Sequence, residues 1–122
     1  MRLIQITEDN LSKYKSEMKL AGLCFAKSTT LYKIMVENQM VGFTGMIWYS
    51  HKIRHKNSFI FEEFRRKGYY AESKIIVEQM AHLRGIKILE GTATKMSRQW
   101  YLNNGYEITK EYAEYTTLTK RL

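Results

Sequence analysis

The stretch from residue 58 to residue 89 constrains this chain more than any other. Ser58-Phe59-Ile60-Phe61 is a short apolar run of β preference, and Ile86-Lys87-Ile88-Leu89 is a second. Between them, Ser73, Ile76, Val77, Met80, Ala81 and Arg84 fall on one face of a helix running from Gly68 to Gly85. Gly85 stands where helices commonly end in a left-handed residue. A strand, a helix and a strand in that order imply a crossover, so the sheet must be parallel at least in part.

The flanking segments read as further strands and short helices. Leu3-Ile4-Gln5-Ile6 is a short strand, and Thr7-Glu8-Asp9-Asn10 offers the short polar side chains that open a helix. Leu11, Tyr14, Met18 and Ala21 then share one helical face. Residues 22–30 suit a second short helix or a loop equally. Leu31–Glu37 and Met40–Tyr49 are β-rich runs separated by Asn38-Gln39, the length of a tight hairpin. Residues 50–57 form a polar connection or a strongly basic strand edge. Met96–Asn104 is a short helix closed by Asn104-Gly105, and Tyr106–Tyr112 and Tyr115–Thr119 alternate as two final strands. The order β-α-β-β-β-α-β-α-β-β belongs to an α/β (α+β) fold with a mixed, largely antiparallel sheet of about six to seven strands and flanking helices. With no proline and no Ser/Gly-rich linker, the 122 residues read as a single domain, 1–122.

Composition narrows the class. Nine Tyr, five Phe and two Trp exclude a disordered chain, and the single Cys24 excludes a disulfide scaffold. Cys24 also suits a reducing, intracellular setting, so a cytoplasmic location is expected. No apolar run reaches the ~20 residues that a membrane span needs, and no signal-peptide pattern is present at the N-terminus. Twenty Lys+Arg against twelve Asp+Glu give a net charge of +8, spread as +2 over residues 1–30, +3 over 31–60 and +3 over 61–122. That balance favours an anionic partner: nucleic acid, a phosphorylated cofactor or an acidic protein surface. Lys52/Arg54/Lys56 and Arg65-Arg66-Lys67 are its local concentrations, and a solvated face is the plainer reading of either one taken alone.

The segment Ile60-Phe61-Glu62-Glu63-Phe64-Arg65-Arg66-Lys67-Gly68-Tyr69-Tyr70 enters the central helix through a basic, glycine-containing turn. A helix start carries four backbone N–H groups without internal partners and about half a positive charge, which is a seat for a phosphate. Downstream, Trp100-Tyr101-Leu102-Asn103-Asn104-Gly105-Tyr106 ends a short helix and begins a strand.

Taken together, these two segments resemble the GNAT superfamily of acyl-CoA-dependent N-acyltransferases. That family carries a V-x-P-x-x-R/Q-x-x-G-x-G/A pyrophosphate loop and, some thirty-odd residues later, a Y-x-x-x-G-F element. Ile60 falls at the Val, Arg65 at R/Q, Gly68 at the first Gly, Tyr101 at the Tyr and Gly105-Tyr106 at G-F. Glu37 to Gly42 looks like the family's central hairpin, and the resemblance covers roughly residues 31–110. Glu62 replaces the usual Pro, Thr94 stands where many members have Asn, and the region between the first helix and the hairpin is short. Tyr70 occupies the Gly/Ala position, where a bulky ring either crowds the cofactor's phosphates or points away.

The resemblance implies acetyl-CoA as co-substrate, no metal, and direct transfer to a protein or small-molecule amine. It implies that backbone groups of Ser58, Phe59 and Ile60 pair with the pantetheine arm between splayed fourth and fifth strands, an N–H near Ile60 polarising the thioester carbonyl. Amides across Arg66, Lys67, Gly68, Tyr69 and Tyr70 hold the pyrophosphate beside Arg65, and Thr94 lies nearby. Tyr101 is the expected general acid for the departing thiolate, against the plainer possibility of a packed aromatic at a helix end. Since no enzyme nucleophile is required, Cys24 is expected in the core. Glu90 sits near where some members place a base, one residue out of register, and a bulge at Gly91 would correct it. His51 and His55 are expected to be surface histidines. A homodimer is the family's habit. The competing possibility is an inactive module of the same fold whose basic face docks nucleic acid or another anionic partner; a third combines transferase and anionic docking.

Overall fold

A computed structural model describes residues 1–20, 28–95 and 97–122. Ala21, Cys24 and Met96, and most of the 22–30 segment, lie outside the described residues, and so do the expectations attached to them. The chain begins with strand β1 (Arg2–Ile6), a 3-10 turn (Glu8–Tyr14) and helix α1 (Lys15–Leu20). Strands β2 (Thr30–Val36), β3 (Gln39–Trp48) and β4 (Lys52–Ile60) follow, then helix α2 (Tyr69–Leu83) and strand β5 (Ile88–Ala93). Helix α3 (Arg98–Asn103) and the hairpin β6 (Glu107–Glu111) and β7 (Thr116–Arg121) complete it. The element order is the expected one.

The seven strands form one sheet in the order β1-β2-β3-β4-β5-β7-β6. Every neighbouring pair is antiparallel except β4 with β5, the two strands joined by the α2 crossover. Residues 50–57 are therefore mostly central strand, since Lys52 opens β4. The hairpin turn is Glu37-Asn38, one residue earlier than the sequence suggests: Val36 pairs with Gln39, and Glu37 takes the left-handed conformation. An extra residue on β3, Val41, shifts the ladder there, because Met35 pairs with Met40 but Ile34 with Gly42.

Alternation sorts the strands between two cores. Leu31 of β2 turns toward Leu11 and Met18 of the 3-10 and α1 segment, together with Phe43, Phe59 and Phe61. Tyr32 turns the other way, into a cluster with Met46, Ile53, Val77 and Ala81 of α2, Leu89, Tyr101 and Leu118. So α2 and α3 cover one face of the sheet, and the N-terminal helical segment covers the other. Helix α2 stops where the sequence expects: Gly85 has φ +69°, and Ile86 N–H reaches back to the Ala81 carbonyl at 2.9 Å.

Candidate active site

The one parallel junction is short. β4 and β5 pair only at Lys52–Ile88, Ile53–Leu89 and Arg54–Glu90, and beyond Arg54 the rest of β4 has no ladder partner on that side. An irregularity explains the parting. Phe43 pairs with Phe59 but Gly45 with Lys56, so Asn57 and Ser58 on β4 oppose the single Thr44 on β3. An extra residue of this kind bends the strand that carries it. Past the bulge, the Phe61 N–H donates to the Val41 carbonyl at 2.9 Å, toward β3. Backbone groups alternate along a strand, so the Ile60 N–H points the other way, into the gap between β4 and β5.

The chain then turns into α2 at the mouth of that gap. Arg66 (φ +65°) and Gly68 (φ +80°) are both left-handed, and the first helical hydrogen bond runs from Glu72 N–H to the Gly68 carbonyl at 3.1 Å. The amides from Gly68 to Ala71 therefore precede the helical ladder. Gly68 is the residue type this turn calls for, since a side chain at that φ is strained. Arg66 and Lys67 are exposed beside it. Arg65 folds back instead: its Nε donates to the Ile60 carbonyl at 2.9 Å and its guanidinium lies over the Phe59 ring.

Tyr70 does not point away. Its ring packs with Ile60, Ile34 and Val41, meets Trp100 edge-on, and its hydroxyl donates to the Tyr101 hydroxyl at 3.4 Å. Tyr101 in turn lies against β5. A Cβ added at Gly91 would stand 2.5 Å from Tyr101 Cε1, so Gly91 is there to admit the ring. The Tyr70 ring thus bridges from the β4 side of the gap to the residue that covers its β5 side. Burial, with the Tyr70 hydroxyl, holds the Tyr101 pKa well above an ordinary phenol; burial raises that of Tyr70 as well.

Other expected residues are placed plainly. Thr94 is exposed at the start of α3, where its N–H donates to the Ser97 hydroxyl at 3.1 Å. Tyr69 packs beside Tyr70 on the Ile60 cluster. Glu90 neighbours Gly91 on β5 and so faces the opposite side of the sheet from Tyr101. There it pairs with Lys52 (2.8 Å) and Arg54 (3.0 Å). Partial burial works to raise the Glu90 pKa, but these two cations outweigh it and bring it below the usual range. β5 carries no bulge at Gly91 that would bring Glu90 into register: it pairs with β7 from Ile88–Arg121 to Ala93–Thr116 without a shift, and the glycine admits Tyr101.

Two residues escape the sequence argument. His55 is buried rather than superficial, its Nε2 3.0 Å from the Tyr106 hydroxyl, whereas His51 is exposed as expected. The alternation places His55 with the apolar Ile53, which is the available signal. Burial, and then the charge of Lys74, push its pKa well below the ordinary value. Lys74 itself is 1% exposed, and its Nζ donates to the Ser58 hydroxyl at 2.6 Å. Its signal is its place at i+4 from Tyr70 and i−3 from Val77, inside the apolar stripe of α2.

The residues present fit a cofactor with a diphosphate and an extended thiol arm: unspent amides at the helix start, a free strand edge leading from them, and a buried phenol at its end. The Tyr70 ring lies between the two sides of that gap. No family model matches the chain, and no curated protein does. Solved structures do. A GNAT family acetyltransferase from Elizabethkingia anophelis with acetyl-CoA bound superposes with TM-score 0.68 at 18% identity, over 95% of this chain and 84% of that one. An N-acetyltransferase from Thermoplasma acidophilum in complex with coenzyme A gives 0.70 at 11% identity, over 96% and 80%. An IAA acetyltransferase from Bacillus cereus gives 0.72 at 15%, over 99% of each chain. Together with the strand order and the parted parallel pair, these likenesses identify the fold as that of the GNAT acetyltransferases.

Proposed function

We propose that this protein transfers an acetyl group from acetyl-CoA to an amine acceptor by direct attack in a ternary complex. One observation carries the reading: the β4–β5 ladder ends after three pairs, and the helix that follows β4 opens at that gap with its first amides unspent. Similar folds have been solved with acetyl-CoA or coenzyme A bound, which supports the co-substrate. Bound acetyl-CoA supplies a thioester whose carbonyl carbon an amine can attack without an enzyme nucleophile.

The chain's own residues supply placement and charge. The amides from Gly68 to Ala71, with Arg66 and Lys67 beside them, hold the diphosphate. The unpaired edge of β4 along residues 58–60 aligns the thiol arm as an added strand, and the Ile60 N–H donates to the thioester oxygen as negative charge develops there. Tyr101 keeps its proton at ordinary pH and presents the hydroxyl to the departing sulfur. Glu90, at the last β4–β5 pair, lies on the opposite face, where its ion pairs with Lys52 and Arg54 hold the end of the junction. Arg65 holds the end of β4 in shape and lies beside the loop.

Calorimetric titration with acetyl-CoA tests the reading. Arg65→Ala is expected to weaken binding and Tyr70→Ala to tighten it, each by about 3- to 30-fold, as fits the loss of one charged contact or one obstructing ring. Absence of saturable binding in all three proteins at millimolar acetyl-CoA would remove the assignment.

A further inference from the structure

The buried Lys74 lacks what a buried cation needs. Its Nζ is bonded to Ser58, whose hydroxyl lies 2.7 Å from that of Thr44, and it sits 5.1 Å from the centre of the Tyr70 ring. Among the described residues no carboxylate pairs with it. The titratable groups around this corner of the sheet are His55 on β4, Tyr101 on α3 and Tyr106 at the start of the last hairpin, none of them anionic at neutral pH, and Glu78, one turn along α2, whose carboxylate is paired with Lys120. A buried ammonium without a counter-ion is costly, and truncation or an apolar replacement would ordinarily relieve that cost. Its surroundings therefore match an anion that is present only during a reaction.

The place of that anion follows from Tyr70. Lys74 borders the face of the Tyr70 ring, and Tyr101 meets its hydroxyl tip. Both groups consequently look into the space the ring leaves when it turns aside. Ser58, which anchors Lys74, lies on the stretch of β4 beyond the last pair with β5, along which the thiol arm runs in the proposed function.

Resting on that function, we infer that Lys74 is a catalytic acid of the transfer and the electrostatic partner of the departing thiolate. The acceptor nitrogen forms its bond to the carbonyl carbon and the carbon–sulfur bond breaks with its electron pair going to sulfur. Sulfur then takes the proton from the Lys74 ammonium, while the acceptor nitrogen releases its own proton to water. Tyr101 orients the sulfur by donating a hydrogen bond. The division of labour agrees with the acidities: burial brings Lys74 to about 7, whereas Tyr101 holds its proton far more tightly than a thiol of about 8.5 would. A proton moves downhill from Lys74 and uphill from Tyr101.

The test is the pH dependence of turnover by the full chain, read as thiol release from acetyl-CoA with a simple primary alkylamine as acceptor. Wild type, Lys74→Met and Ser58→Ala are compared, with binding of coenzyme A measured in each by calorimetry. In wild type kcat should fall as pH rises through the Lys74 titration, and Lys74→Met should lack that fall. Lys74→Met should also lower kcat about 100-fold with acetyl-CoA at little change in KM, and much less with an aryl thioester whose thiol leaves unaided. If Lys74→Met binds coenzyme A but keeps the wild-type pH profile, or loses equal activity with both donors, Lys74 has no such role and the cofactor assignment stands. If wild type binds no coenzyme A, that assignment fails first and this one with it.

Discussion

At the scale of single residues, the buried polar groups make the sharpest claims about solution behaviour. Lys74 has an ordinary unfolded pKa near 10.5 and a folded one near 7, so between these values the unfolded chain binds more protons. Stability must then rise with pH across that window, and the penalty is present in full below it. A shift of that size corresponds to roughly 5 kcal/mol. His55 is lowered too, but its titration lies below pH 6.5, and the buried tyrosines act only above their ordinary range. Denaturant unfolding at about pH 7 and about pH 9 should therefore show wild type gaining a few kcal/mol, and Lys74→Met nearly none. A flat wild-type profile would contradict the buried, unpaired placement. Gly91→Ala makes a second test. The new methyl meets an aromatic ring that Tyr106 and Trp100 hold edge-on, so the ring cannot easily give. A loss of about 1–3 kcal/mol in denaturant stability is expected.

At the scale of elements, the parting of β4 from β5 organises everything else. A parallel junction of three pairs leaves one strand edge exposed beside a helix start, and both features come from the same crossover. Glu90 marks the junction's end, and its ion pairs with Lys52 and Arg54 are partly exposed, with side chains 22%, 34% and 41% accessible. Glu90→Gln should thus cost less than about 1 kcal/mol of stability. A carboxylate held below its usual pKa is a weak base, so kcat should fall less than about 10-fold; a loss of 100-fold or more would restore it as the general base.

Much of this was legible in the sequence, and the reasons for the rest are physical. The shared face of Ser73, Val77 and Ala81 marks α2, and the apolar Phe59–Ile60 run marks the end of β4, because burial imposes those periods. Residues 50–57 stayed ambiguous because Lys52, Arg54 and Lys56 alternate with Ile53 and His55, and a strand with one charged face looks like a polar loop. The side chain of Tyr70 could not be directed from sequence, since only the packing of Ile60, Trp100 and Tyr101 turns it inward. Lys74 was hidden by its charge, which argues for solvent unless its neighbours are already known.

At the scale of the whole molecule, the net charge of +8 and the two helical layers describe a small sheet protein with one chemically distinctive seam. Among the described residues, no helix is long and apolar enough to cross a membrane. If the seam binds acetyl-CoA only in the folded state, ligand at about 100 times its Kd should add roughly 2.7 kcal/mol of stability. A thermal shift of several degrees would report it. The most direct measurement is a titration of the isotopically labelled protein with coenzyme A, following backbone amide resonances. Gly68, Tyr69, Tyr70, Ala71 and Ile60 are expected to shift most, and together. Shifts confined to the Lys52–Lys56 face, or none at saturating ligand, would contradict the account.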